Sequence, residues 1–120
     1  MRFTHAACLS IISITSPGLP AQVTTEDMSN DAFPFRTARE IDIGFGRVLC
    51  TRITYVGELG YELFIPTEQA VHVYDRLAEF SEGADAPLTH VGLKALGSLR
   101  LEKVLPLEIK VPNVFVSSHF

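Results

Sequence analysis

Glu62 stands in the run Tyr55-Val56-Gly57-Glu58-Leu59-Gly60-Tyr61-Glu62-Leu63, just after two glycines and at an alternating position of a strand pattern. A carboxylate accepts two parallel hydrogen bonds, and its charge strengthens both. That chemistry suits the paired N–H donors of an aminopyrimidinone ring such as a pterin. An acid at such a position belongs by default to a solvated strand face, so the pattern alone leaves both readings open. The other reactive side chains offer less. The four histidines, His5, His72, His90 and His119, lack a second ligand at a metal-binding spacing on one helix face. No serine sits in a Gly-x-Ser-x-Gly elbow. Gly57 and Gly60 have the wrong spacing for a dinucleotide fingerprint, and they join strand to strand rather than strand to helix. Cys8 and Cys50 cannot build a disulfide framework and lack the spacing of a zinc knuckle. They read as small buried hydrophobes. No catalytic residue and no metal site is expected.

Stepping outward to the elements, residues 47–56 form the clearest strand pattern. Leu49, Thr51, Ile53 and Tyr55 fall on one face, and Val48, Cys50, Arg52 and Thr54 on the other. Residues 57–60 break the run with the permissive backbone of a tight reversal. The alternation resumes over 61–65, with Tyr61, Leu63 and Ile65 on one face, so a β-hairpin is expected. Residues 37–43 read as a further strand ending at Gly44. Pro66 stops the hairpin, and Thr67 is a good N-cap with Glu68 in the first turn. Ala70, Val73, Tyr74, Leu77 and Phe80 then recur at helical spacing through Ser81. A second helix is expected over 90–104, ended by Pro106. Gly97 inside it costs about 1 kcal/mol against alanine, which points to close packing there. Residues 7–15 fit a strand better than the apolar centre of a signal peptide. His5, Ser10 and Ser13 dilute that centre, and Arg2 alone is too little for a mitochondrial presequence. Residues 18–35 are polar and turn-rich, and the tail over 106–120 reads as a poor strand or as disorder.

The 120 residues suffice for one domain or a piece of one. The hydrophobic share is 47% and the charged share 20%, which suits a globular protein. A net charge of -4, with Lys and Arg scattered, argues against a nucleic-acid surface and a polybasic membrane anchor. No apolar run reaches the roughly 18 residues of a membrane-spanning helix.

Three stretches resemble the folate-binding aminomethyltransferase domain of the glycine-cleavage T-protein, which also forms the C-terminal region of sarcosine and dimethylglycine dehydrogenases. They are residues 28–35 (MSNDAFPF), residues 52–63 (RITYVGELGYEL) with Ile65-Pro66, and residues 91–103 (VGLKALGSLRLEK). The resemblance covers about residues 23–103. It implies an α+β fold: a small antiparallel sheet with two packed helices, as an incomplete piece of that domain. Residues 1–22 match poorly, and residues 106–120 look unrelated.

The resemblance further implies that Glu62 holds a pterin ring, with Tyr55 and Tyr61 as accompanying cofactor contacts. Tetrahydrofolate is then the cofactor of the domain, and FAD that of the full-length family only. The T-protein carries an arginine on the following helix where Leu96 stands here. That departure, together with Glu102-Lys103, looks like the dehydrogenase branch. The implied parent oxidatively demethylates N-methyl amines and passes the one-carbon unit to tetrahydrofolate. No glycine-rich FAD loop occurs in this chain, so at most a pterin contact is expected of it alone. The alternatives are a non-catalytic module like the pyruvate dehydrogenase phosphatase regulatory subunit, or a glycine-cleavage aminomethyltransferase. The implied location is the mitochondrial matrix in a eukaryote and the cytoplasm otherwise. The expected partners are a folate, and either another copy or the remainder of a parent protein, without nucleic acid or membrane.

Overall fold

A computed structural model describes residues 6–13, 23–82 and 88–103. Four strands form one antiparallel sheet: β1 (Ala6–Ser13), β2 (Ala38–Ile43), β3 (Gly46–Thr51) and β4 (Leu59–Pro66). Their order across the sheet is β1-β4-β3-β2, so β1 closes the edge beyond β4. Its register runs from Ala6 opposite Pro66 to Ser13 opposite Leu59. A 3-10 turn (Thr67–Gln69) leads into α1 (Ala70–Glu82), and α2 (Leu93–Glu102) follows. This is the α+β arrangement expected from the sequence: one small antiparallel sheet and two helices.

Alternation decides which face is covered. Ile41, Ile43, Val48, Cys50, Leu63 and Ile65 are fully buried on one side of the sheet. Val73 and Leu77 of α1 complete that layer, with Val23, Met28 and Phe33 from the segment before β2. At roughly 1.5–3 kcal/mol for each fully buried aliphatic side chain, this one face supplies most of the driving force for folding. Gly46 keeps α1 close, because a Cβ there would stand 2.8 Å from the Val73 Cγ2. The helix period of α1 brings Val73 and Leu77 inward, as the spacing predicted.

Several expected boundaries move. The strand read over 47–56 ends at Thr51, and Leu59 and Gly60 already belong to β4. The reversal is a bend over 52–58 rather than a tight turn. Arg52 follows β3 with its backbone still held, its N–H donating to the Thr37 carbonyl at 2.9 Å and its carbonyl accepting from the Arg36 N–H at 2.8 Å, while its guanidinium donates to the Phe33 carbonyl at 2.6 Å and to Asn30. The Thr54 hydroxyl accepts from the Gly57 N–H at 2.9 Å and shapes the bend's far side. Thr67 is no N-cap: Pro66 holds that place, and no side chain caps the turn. Thr37 stays outside β2, since its hydroxyl donates to the Pro34 carbonyl at 2.6 Å. The second helix begins at Leu93 after Gly92, not at His90. The His90 ring nitrogen instead meets the Tyr74 hydroxyl at 2.8 Å. An added Cβ at Gly97 would touch nothing within 4 Å, so the close packing expected there is not found. Cys50 is buried as read, but Cys8 is exposed. The expected features at residues 14–15, 104 and 106–120 lie outside the described residues.

Candidate functional site

Pairing across β3 and β4 places Thr51 opposite Glu62, and Leu49 opposite Phe64. Residues directly opposite in a ladder share a face. These four side chains therefore lie together on the sheet face away from α1, all half-buried. β1 sets Ser10 opposite Glu62 and Cys8 opposite Phe64. The Glu62 carboxylate has no hydrogen bond or ion pair to a described residue. Its backbone carbonyl is held, accepting from the Thr51 hydroxyl at 3.4 Å. The Cys8 thiol is pushed up, first by desolvation and then by the Glu62 negative charge. This face thus combines an available acid with an aromatic and an aliphatic side chain.

The three residues singled out in the sequence do not converge. Tyr61 neighbours Glu62 in β4 but points to the covered face, where it is 2% exposed. It stacks on Phe33 with ring centroids 6.2 Å apart. Burial pushes its phenol up. Its rim opens on a shallow cleft of about 550 Å³, bounded by Asp27, Asn30 and Arg52. Tyr55 lies in the bend, exposed, with the Arg100 guanidinium 4.6 Å above its ring. Arg100 also donates to the Tyr55 carbonyl at 2.8 Å. A second open cleft of about 420 Å³ adjoins the first across Arg52 and Leu59, with Phe35 and Glu58 on its walls.

Three arginines organise this region, and sequence reasoning assigned none of them a role. Arg52 ties the bend to the segment before β2. Arg39 lies 4.6 Å over the Phe33 ring and donates to the Asp27 carbonyl. Arg100 pins α2 to the bend, helped by Lys103, whose ammonium meets the Glu58 carboxylate at 2.6 Å. The available signal was an arginine inside an otherwise apolar alternation at Arg52, and inside a leucine-rich helix at Arg100. Asp27 is held below the usual carboxylate range, chiefly by the Ser29 backbone N–H, which donates to it at 2.9 Å.

Fold and site together define a small antiparallel α+β unit that offers an acidic acceptor on one half-open sheet face. The chain belongs to the family described as the GCVT N-terminal domain, which matches residues 4–109. It is 40% identical over 98 residues to human "Sarcosine dehydrogenase, mitochondrial", covering 79% of this chain and 10% of that protein. It is 38% identical over 104 residues to "4-methylaminobutanoate oxidase (formaldehyde-forming)" of Paenarthrobacter nicotinovorans, covering 84% of this chain and 12% of that protein. It is 39% identical over 82 residues to mouse "Dimethylglycine dehydrogenase, mitochondrial", covering 68% of this chain and 9% of that protein. The chain thus spans about a tenth of the length of these relatives. The family expected from residues 52–66 and 91–103 is the family found. Among the described residues, no helix is long and apolar enough to cross a membrane.

Proposed function

We propose that this chain carries the pterin-contacting strand of a folate-binding domain, within a protein that oxidatively demethylates N-methyl amines and transfers the released one-carbon unit. The observation that carries the reading is the Glu62 carboxylate: half-buried, without a partner among the described residues, on a face shared with Thr51 and Phe64. A carboxylate in that setting is a strong acceptor for paired N–H donors, and Phe64 offers apolar surface beside a flat ring. Tetrahydrofolate fits this donor set through one contact. Glu62 would hold the ring, and the folate would supply the nitrogen that accepts the one-carbon unit. Tyr61 belongs to the opposite face, so its contribution is to fix the β4 register through the core. Tyr55 stays a candidate contact from the bend.

FAD finds no counterpart among these residues. Dinucleotide sites are built on a βαβ unit with a glycine-rich turn at a helix N-terminus, whereas the described strands form an antiparallel sheet. Two of the three compared relatives carry the mitochondrial designation in their names, which supports a mitochondrial matrix location if the source is a eukaryote.

Tetrahydrofolate titrated into the full chain, followed by calorimetry and by NMR shifts at Thr51, Glu62 and Phe64, tests the reading. Binding is expected, and Glu62→Gln is expected to weaken it by about 1–3 kcal/mol through the lost charged hydrogen bond. Glu68→Gln, at an exposed position in the 3-10 turn, serves as the silent control. No binding at millimolar tetrahydrofolate sinks the proposal for this chain and favours a non-catalytic interaction module.

A further inference from the structure

α2 presents two unlike sides. Its inner side carries Arg100, 8% exposed and bonded to the Tyr55 carbonyl, and Lys103 follows on that side to pair with Glu58. No described residue covers the outer side. Leu93, Gly97 and Leu101 recur every fourth residue and so form one ridge. Leu93 is 75% and Leu101 66% exposed, and the two lie on the same ridge. Between them, the space over Gly97 is open to at least 4 Å. The neighbouring ridge is Lys94, Ser98 and Glu102, all exposed. The Ser98 hydroxyl bends back to donate to the Lys94 carbonyl at 3.3 Å, which keeps the middle of this ridge low. Neither Lys94 nor Glu102 forms an ion pair with a described residue.

We propose that this outer face is an interface, and that its occupant is a second copy of this chain. The pattern is self-complementary under a two-fold axis. With two α2 helices antiparallel and crossing near Gly97 and Ser98, Leu93 of one copy meets Leu101 of the other. Lys94 likewise meets Glu102, and each contact occurs twice. That reciprocity is what an isologous dimer requires. The central glycine removes the side chain that would hold the helix axes apart, so the leucines at both ends reach across. A foreign partner would need only apolar complementarity. The opposite charges placed symmetrically about the middle of the ridge are the feature that selects a second copy. The inference is independent of the folate reading, because no residue of the Glu62 face takes part.

Sedimentation equilibrium of the full 120-residue chain over a wide concentration range is the test. A reversible monomer–dimer equilibrium is expected. Lys94→Glu or Glu102→Lys alone turns two attractive pairs into two repulsive ones, and each is expected to weaken dimerisation by about tenfold. The double variant Lys94→Glu/Glu102→Lys restores both pairs and is expected to recover the original association. All these positions are exposed, so folding is not at stake, and circular dichroism of each variant verifies it. A chain that stays monomeric at every concentration overturns the proposal and leaves the face to another part of a longer polypeptide. A dimer indifferent to the single reversals, or not rescued by the double, also overturns it.

Discussion

Cys50 sits at the centre of the covered sheet face, fully buried opposite Leu63. Burial pushes its thiol up to about 12 from an ordinary value of 9.0, and the nearby Arg39 charge offsets only part of that. The folded protein therefore keeps a proton that the unfolded chain releases near pH 9. Stability from this group is complete below about pH 9 and is lost as the pH rises through about 12. Tyr61 works in the same direction, since its phenol is raised by burial. Urea denaturation midpoints are thus expected to hold level to about pH 9 and then decline, with a flatter alkaline decline in Cys50→Ala. An unchanged slope in Cys50→Ala would remove Cys50 as the cause. A thiol reagent near pH 8 is expected to label the exposed Cys8 and spare Cys50 while the chain is folded.

Hairpin β2–β3 and helix α2 show glycine acting in opposite senses. Gly44 has φ +59°, and a Cβ there would run into the His72 imidazole. That ring accepts the Phe45 N–H at 3.2 Å and stacks on Phe45 with centroids 3.4 Å apart. Gly44→Ala is expected to cost about 1–3 kcal/mol, by straining the turn and displacing His72 from it. Gly97→Ala is expected to stabilise the chain by up to about 1 kcal/mol, because it gains helix propensity in open space. Denaturation of both variants, at a concentration where the chain is monomeric, checks the signs. The same elements show what the sequence made legible. The β3–β4 pairing, the alternation that buries Leu63 and Ile65, and the inward stripe of α1 are local periodicities, and they were readable as such. The end of β3 was not, because the Arg52 backbone goes on bonding irregularly to Arg36 and Thr37 while its guanidinium meets partners 19 and 22 residues away. Nor was the start of α2, where His90 is engaged by Tyr74 of α1. Tyr61 and Glu62 are adjacent in the motif and yet lie on opposite faces. That separation was legible in the alternation over 61–65, and it is the grouping of Tyr61 with Glu62 as joint contacts that the alternation argues against.

Taken as a molecule, the chain has one core and one appended helix. α1 enters the core through Val73 and Leu77, so the sheet and α1 should open together. α2 contributes no residue to that core. It is held by Arg100 over the Tyr55 ring and on its carbonyl, and by the Lys103–Glu58 pair. The latter pair is substantially exposed and worth little. Arg100 is buried, so its contacts are the stronger tether: its guanidinium is withdrawn from water and removing its partners would strand it. Amide exchange is therefore expected to be slowest in β3 and β4, nearly as slow in α1, and clearly faster in α2. Arg100→Ala is expected to speed α2 exchange further and to loosen the 52–58 bend, while β3 and β4 keep their protection. Arg100→Lys retains the charge but not the planar stacking on Tyr55, so its effect should fall between. If Arg100→Ala instead lowers protection in β3, β4 and α2 by the same amount, α2 belongs to the same cooperative unit as the sheet. The tether would then be one part of a single core, and the bend bearing Tyr55 would be as rigid as the strands it joins.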